Sequence, residues 1–177
     1  MGTIFIAGSY GVGKSTLCNA LSKILRVPAY SAGDLISNIN GEQYGANKAV
    51  QDKDANQDIL ASEVKKILEQ CPTILLAGHF CIFDKLNRVE KLPYSIFEKI
   101  SMEQILLLEA DSERILSNIS IRDKKKYEHR QIELLLKEER WAAIEVSKQC
   151  GCNLHIHQMS FDGSDLQKCC ELLNVEV

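Results

Sequence analysis

The residues with the most chemistry in them lie near the start of the chain. Gly8-Ser9-Tyr10-Gly11-Val12-Gly13-Lys14-Ser15 satisfies G-x-x-x-x-G-K-[ST] at each fixed position, and Thr16 follows. Glycines at this spacing let a loop curl until its backbone N–H groups converge on a phosphate, and the positive end of a following helix adds to the attraction. Lys14 is then placed to reach the β- and γ-phosphates, and the Ser15 hydroxyl to hold Mg²⁺. Gly8, Gly11, Val12, Gly13, Lys14, Ser15 and Thr16 are therefore the expected ATP-binding set, with Mg²⁺ as the accompanying ion. The motif does not say what receives the phosphate, because a kinase, a nucleotide-driven switch and a motor all use it.

A second constellation is Cys150-Gly151-Cys152 followed by His155-Ile156-His157, all residue types that bind zinc. On an extended strand the two cysteines share one face and the two histidines the opposite one, so zinc binding would need a turn to bring the pairs together. The chain has seven cysteines, an odd number with no pairing framework, which reads as buried thiols in a reducing compartment.

These side chains need a scaffold, and the apolar pattern supplies one. Residues 3–7, 73–77 and 104–108 are uninterrupted apolar runs of the kind buried on both faces of a parallel sheet. Residues 29–32 and 152–157 read as further strands. Helical spacing marks 14–25, 34–39, 54–69, 94–100, 112–121, 128–149 and 164–173. Residues 40–53 and 78–93 read as loops, and 122–127 as a charged break. Strands alternating with helices, none joined by a recognisable tight hairpin turn, predict a parallel α/β sheet in a single domain over 1–177.

With these elements in order, the chain resembles the P-loop nucleoside monophosphate kinases, within them the archaeal-type adenylate kinases and the cytidylate kinases. Val27-Pro28-Ala29-Tyr30-Ser31-Ala32-Gly33-Asp34-Leu35 is similar to the segment that opens their acceptor lobe. Gly78-His79 after an apolar strand, Leu92-Pro93, Ile105 to Asp111 and Glu139-Arg140-Trp141-Ala142-Ala143 continue the likeness along the chain. The resemblance implies a three-layer P-loop NTPase fold with a five-stranded parallel sheet, a helical acceptor lobe at about 32–70 and a short lid at about 122–130. It implies phosphoryl transfer from ATP to a nucleoside monophosphate or similar small acceptor, with Lys14, Arg122, Arg130 and Arg140 stabilising the charge that develops. Residues 124–126, all lysine, add charge to the lid or form a solvated turn. Ser31, Gly33, Asp34, Lys53, Gln57, Gly78 and His79 fall where the acceptor would sit, with Lys48 nearby. Asp34 either reaches Mg²⁺ through water or caps the helix after Gly33.

The chain departs from that pattern in the acceptor region. The arginine expected three residues after Asp34 is Ser37, and no arginine occurs between Arg26 and Arg88. The acid expected at the end of the third strand is missing from Leu76-Ala77-Gly78-His79, and a first lid arginine is replaced near Asn118. These losses bear on the acceptor rather than on the ATP donor. They also leave open a different class, a P-loop NTPase or nucleotide-sensing subunit acting on a protein or RNA partner.

Composition limits the remaining possibilities. At 177 residues folding buries roughly 70% of the chain's surface, enough for one core without staples. With 45% hydrophobic and 25% charged residues, intrinsic disorder and coiled coil are excluded. A net charge of −3 provides no overall basic field for long nucleic acid. Residues 2–7 read as a strand rather than a signal, and no run has the length of a membrane span. Small nucleotide substrates, a cytoplasmic location and a monomer or homodimer are the expectations.

Overall fold

Branched and apolar residues in unbroken runs cannot be half-solvated, and they form the buried centre of the protein. The structure, a computed structural model, describes residues 2–40, 53–84, 86–123 and 127–175. β1 (Thr3–Gly8) and β3 (Ile74–Ala77) are buried along their whole length, and β6 (Met102–Glu109) at its five apolar positions from Ile105 to Leu108 and Met102. With β2 (Ala29–Ser31) and β7 (Asn153–Gln158) they make a five-stranded sheet in the order β2-β3-β1-β6-β7, all pairs parallel.

Side chains alternate across this sheet as the strand period requires. Ile4, Ile6, Leu75, Leu106 and Leu108 face one layer, where they meet α1 (Lys14–Leu25) and α7 (Asp165–Leu172). Phe5, Ala7, Leu76, Ile105 and Leu107 face the other, against α3 (Lys53–Gln70), α4 (Tyr94–Lys99) and α6 (His129–Cys150). α2 (Ala32–Asn40) follows β2, and α5 (Ser112–Asp123) follows β6. The three predicted layers and the five parallel strands are present. Among the described residues no helix is long and apolar enough to cross a membrane.

The chain leaves β1 toward β3 on one side and later returns to pair β6 on the other. The strand order therefore reverses at β1, and a crevice opens beyond its carboxyl end. That end carries the glycine loop.

One expectation is corrected. Part of the 78–93 stretch read as a loop is an antiparallel hairpin of β4 (Cys81–Phe83) and β5 (Val89–Lys91), packed on α6. Its turn lacks the glycine that usually marks a hairpin. Asn87 takes the left-handed position at φ 56°. Asp84 closes the turn instead, its Oδ1 accepting the backbone N–H groups of Leu86 and Arg88 at 2.8 Å each.

Candidate active site

β1 is a straight buried strand until Gly8, after which Gly11 and Gly13 take φ values of 74° and 98°, reachable cheaply only without a Cβ. Gly13 caps α1 and its carbonyl accepts the N–H of Leu17 at 3.1 Å. Lys14 folds back over the loop: its Nζ donates to the carbonyls of Gly8 and Ser9, both at 2.8 Å, and lies 3.5 Å from His79 Nδ1. Asn118 Nδ2 donates to the Gly11 carbonyl at 2.8 Å, so the residue standing where a lid arginine was expected fastens the loop to α5.

A carboxylate that sequence reasoning did not single out sits beneath the loop. Glu139, on α6, is only 2% exposed. Its oxygens accept the backbone N–H groups of Gly8 at 3.2 Å, Phe80 at 3.0 and 3.1 Å, and Cys81 at 2.7 Å. Burial pushes its pKa up to about 7, against the opposing pull of these N–H groups and the Lys14 charge. One side chain thus joins the exit of β1 to the exit of β3.

Between these two exits lies a cavity of about 690 Å³. Lys14, Ser15 and Thr16 line it, as do Ser31, Gly33, Gln57, Gly78 and His79, all candidates from the sequence. Gly78 is there because no side chain fits: a Cβ would lie 2.6 Å from Phe5 Cζ. The inner wall is apolar, built from Phe5, Leu60, Ile96, Phe97 and Ile100. A file of rings runs along one side, with His79 on Tyr10 at 4.4 Å, Tyr10 on Phe83 at 5.9 Å and Phe83 on Tyr127 at 5.1 Å. Gln57 is 9% exposed, and its Nε2 has no hydrogen-bond partner among the described residues.

Other residues expected at the site stand elsewhere. Gly8 and the fully buried Val12 act below the cavity surface. Asp34 is exposed, is absent from the lining and does not cap α2. The helix begins two residues earlier than read from the sequence, and Ser31 Oγ accepts the Asp34 N–H at 3.3 Å, which is the cap. Arg130 is exposed at the start of α6, and Arg140 donates to Glu109 Oε2 at 3.1 Å; neither lines the cavity. Burial raises the Glu109 pKa while Arg140 lowers it. Lys53 and Arg122 are placed only by their helix backbones, and Lys48 and residues 124–126 lie outside the described residues.

On the opposite flank of the loop, a feature missed in the sequence borders Gly13. Phe161 and Met159 follow β7, with Met159 Cε 3.5 Å from where a Gly13 Cβ would be. The Arg114 guanidinium lies over the Phe161 ring at 4.7 Å. Asp165 fixes this turn, accepting the N–H groups of Ser160 and Phe161 at 2.8 Å each. It also pairs with His157 Nε2 at 2.8 Å.

The residues present fit Mg-ATP. The curled backbone at Gly11 and Gly13, the N-terminus of α1 and the Lys14 ammonium converge on one place, as a triphosphate requires. Among the described residues no group of three or more His, Cys, Asp or Glu could hold a metal, so Mg²⁺ would take the Ser15 hydroxyl with phosphate oxygens and water. Of the Cys/His pattern, His157 is engaged with Asp165 and Cys150 Sγ donates to Tyr94 Oη at 3.6 Å.

Fold and loop together define a P-loop NTPase fold of the small-kinase type. The sequence matches the AAA domain family over residues 7–135, and the chain belongs to that family. Similar solved structures include shikimate kinase from Bacteroides thetaiotaomicron, with a TM-score of 0.62 and 14% identity over 98% of this chain and 99% of that one. Shikimate kinase from Acinetobacter baumannii in complex with shikimate gives 0.60 and 14% over 98% and 92%. A gluconokinase from Sinorhizobium meliloti 1021 gives 0.59 and 10% over 98% and 91%. No curated protein sequence matches significantly. These likenesses establish the P-loop kinase fold that the sequence resemblance implied, without singling out the adenylate or cytidylate kinases.

Proposed function

We propose that the protein transfers the γ-phosphoryl group of ATP to a small molecule bound beside the phosphate loop. The observation that carries this is the cavity of about 690 Å³, which opens at Lys14 and Ser15 and extends past His79 to Gln57. Its size is that of a small-ligand pocket. A switch or sensor needs the part of this cavity at the phosphate loop but not its continuation past His79 to Gln57. Structural likeness to proteins named shikimate kinase and gluconokinase supports a small acceptor.

In this reading Lys14 leaves the Gly8 and Ser9 carbonyls for the β- and γ-phosphates. Ser15 holds Mg²⁺, which neutralises phosphate charge when bound. Arg114 and Phe161 border the adenine. Arg122, Arg130 and Arg140 lie on the helices flanking the proposed lid and supply positive charge when it closes, which also keeps water from the reacting phosphoryl group. Ser31, Gly33, Gly78 and His79 shape the acceptor site. Asp34 reaches Mg²⁺ only through water, and Lys53 enters from the start of α3. The nucleoside monophosphate implied by the sequence resemblance is the finer form of the proposal.

The test is ADP formation from Mg-ATP with nucleoside monophosphates, shikimate and gluconate offered in turn, using Lys14→Ala as the blank. Stimulation by one acceptor, lost in the variant, supports the reading. ATP binding with no acceptor-dependent turnover across small-molecule classes would sink it and return the protein to the nucleotide-sensing class.

A further inference from the structure

Glu139 is a buried titratable group that the phosphoryl transfer described above leaves unused, and it meets Lys14 through a single residue of the phosphate loop. The Gly8 carbonyl accepts from Lys14 Nζ at 2.8 Å, while the Gly8 N–H donates to Glu139 Oε1 at 3.2 Å. Gly8 thus stands between an ammonium and a carboxyl that is only 2% exposed. At that depth water screens the pair poorly, and their attraction favours the ionised carboxylate.

The carboxyl is held between opposing influences. Burial favours its neutral form, while the Phe80 N–H, the Lys14 charge and the N–H groups of Cys81 and Gly8 favour the anion. The outcome is a group raised to about 7, so a change of charge beside the loop moves a proton near neutrality. Two other titratable groups lie close. Burial and Glu139 itself push the Cys81 thiol up to about 12, which keeps it protonated, and His79 Nδ1 is 3.5 Å from Lys14 Nζ. The neighbours of Glu139 along α6 face other partners, Glu138 with Lys91 at 3.2 Å and Arg140 with Glu109 at 3.1 Å.

Mg-ATP disturbs this balance in two ways. It draws Lys14 from the Gly8 and Ser9 carbonyls to the β- and γ-phosphates, which neutralise its charge. It also brings net negative charge to the loop, even with Mg²⁺ counted. Each change disfavours a second anion behind the same glycine. We propose that Mg-ATP binding is coupled to protonation of Glu139: as Lys14 turns to the phosphates, the carboxyl takes a proton from solvent and keeps it until the nucleotide leaves. Glu139 is then a positioning residue, acting on the nucleotide through Gly8 and Lys14. The coupling rests only on Mg-ATP at the phosphate loop, and it holds for a kinase and for a nucleotide-sensing NTPase alike.

The experiment is calorimetric titration of the full-length protein with ATP at saturating Mg²⁺, repeated in buffers of different ionisation enthalpy. The slope of observed against buffer enthalpy counts the protons exchanged. At pH 7 the expected uptake is at most about half a proton, the share of Glu139 still ionised there, and it is smaller with Mg-ADP, which brings less charge. A bound state whose carboxyl titrates one unit higher weakens ATP about fivefold between pH 6 and pH 8. Glu139→Gln should bind Mg-ATP without this uptake. It should also lose the carboxylic-acid C=O band that the wild type gains on ATP binding in infrared difference spectra. Should that variant not fold, the slope and the band of the wild type decide. ATP binding by the wild type with no proton uptake overturns the coupling and leaves the nucleotide site intact. Uptake that persists in Glu139→Gln and vanishes in His79→Gln moves the proton to His79 and overturns it as well. Absence of Mg-ATP binding overturns both the coupling and the function proposed above.

Discussion

Glu139 on α6 accepts the backbone N–H of Gly8 at 3.2 Å across 131 positions of sequence, so the long helix grips the phosphate loop directly. The same carboxylate binds Phe80 and Cys81, which means that the loop and the exit of β3 share one anchor. α6 also begins at the charged segment read as a lid. Any movement of that helix is therefore felt at both edges of the cavity.

The anchor makes stability depend on pH in a definite sense. Burial raises the Glu139 pKa from its ordinary 4.5 to about 7. A carboxyl raised on folding binds its proton more tightly in the native state, so its contribution is fully present below about 4.5 and is lost as pH rises through about 7. Glu139→Gln should flatten this part of the pH dependence in urea titrations. Relative to wild type the substitution should cost most below about pH 4.5 and progressively less as pH rises through about 7, the amide N–H₂ facing N–H donors that the carboxylate accepted being its pH-independent part. An unchanged pH profile would refute the assignment.

Lys14→Ala removes the one cation that the described part of the cavity presents to phosphate. Loss of a single preorganised charge of this kind lowers transfer by on the order of 10²–10³. The fold should persist, since Gly8 and Ser9 carbonyls at the loop surface can bond water. Circular dichroism identical to wild type with wild-type turnover would exclude Lys14 from the chemistry.

The phosphate loop was readable because its geometry is local: the glycines, the strand before them and the helix after them are contiguous. β1, β3 and β6 were readable because nothing but a buried strand accommodates such apolar runs. Glu139 was hidden in the charged string Lys137-Glu138-Glu139-Arg140, although it lies four residues after Leu135 and four before Ala143, on the apolar face. Gln57, by contrast, was named from the acceptor-lobe resemblance, and its spacing, three residues before the buried Leu60 and seven before Val64, puts it on the same inward face. Arg114 and Phe161 meet only through the fold, with 47 positions between them, and no local spacing signals such a pair.

Gly78 is fixed by its neighbours. A Cβ there would stand 2.6 and 2.7 Å from Phe5 Cζ and Cε2. Phe5 cannot yield freely, because it packs edge-on to Phe80 at 5.2 Å and to Phe97 at 5.9 Å. Gly78→Ala should destabilise the protein by about 1–3 kcal/mol, the usual cost of overpacking, measured by urea unfolding. A loss below a few tenths would mean that the Phe5 ring has room to turn.

Asp165 is expected to influence ATP binding from a distance. Burial alone would raise its pKa, but the Ser160 N–H, the His157 ring and the Phe161 N–H together hold it below the ordinary carboxylate value. Asp165→Ala frees two backbone donors and the left-handed Phe161, at φ 58°, that the carboxylate pins beside Gly13. The Phe161 ring under Arg114 then loses its fixed position on the flank proposed for adenine. The expected outcome is two separate effects: a stability loss of about 1–3 kcal/mol from the unmatched donors, and weaker ATP binding in calorimetry at a temperature where the variant is still folded. The stability difference should shrink as pH falls through the native pKa, because a depressed carboxyl contributes only while ionised. Phe161→Ala should reproduce the affinity loss with less effect on stability. Wild-type ATP affinity in both variants would remove this flank from the nucleotide site and leave Asp165 as a purely structural cap.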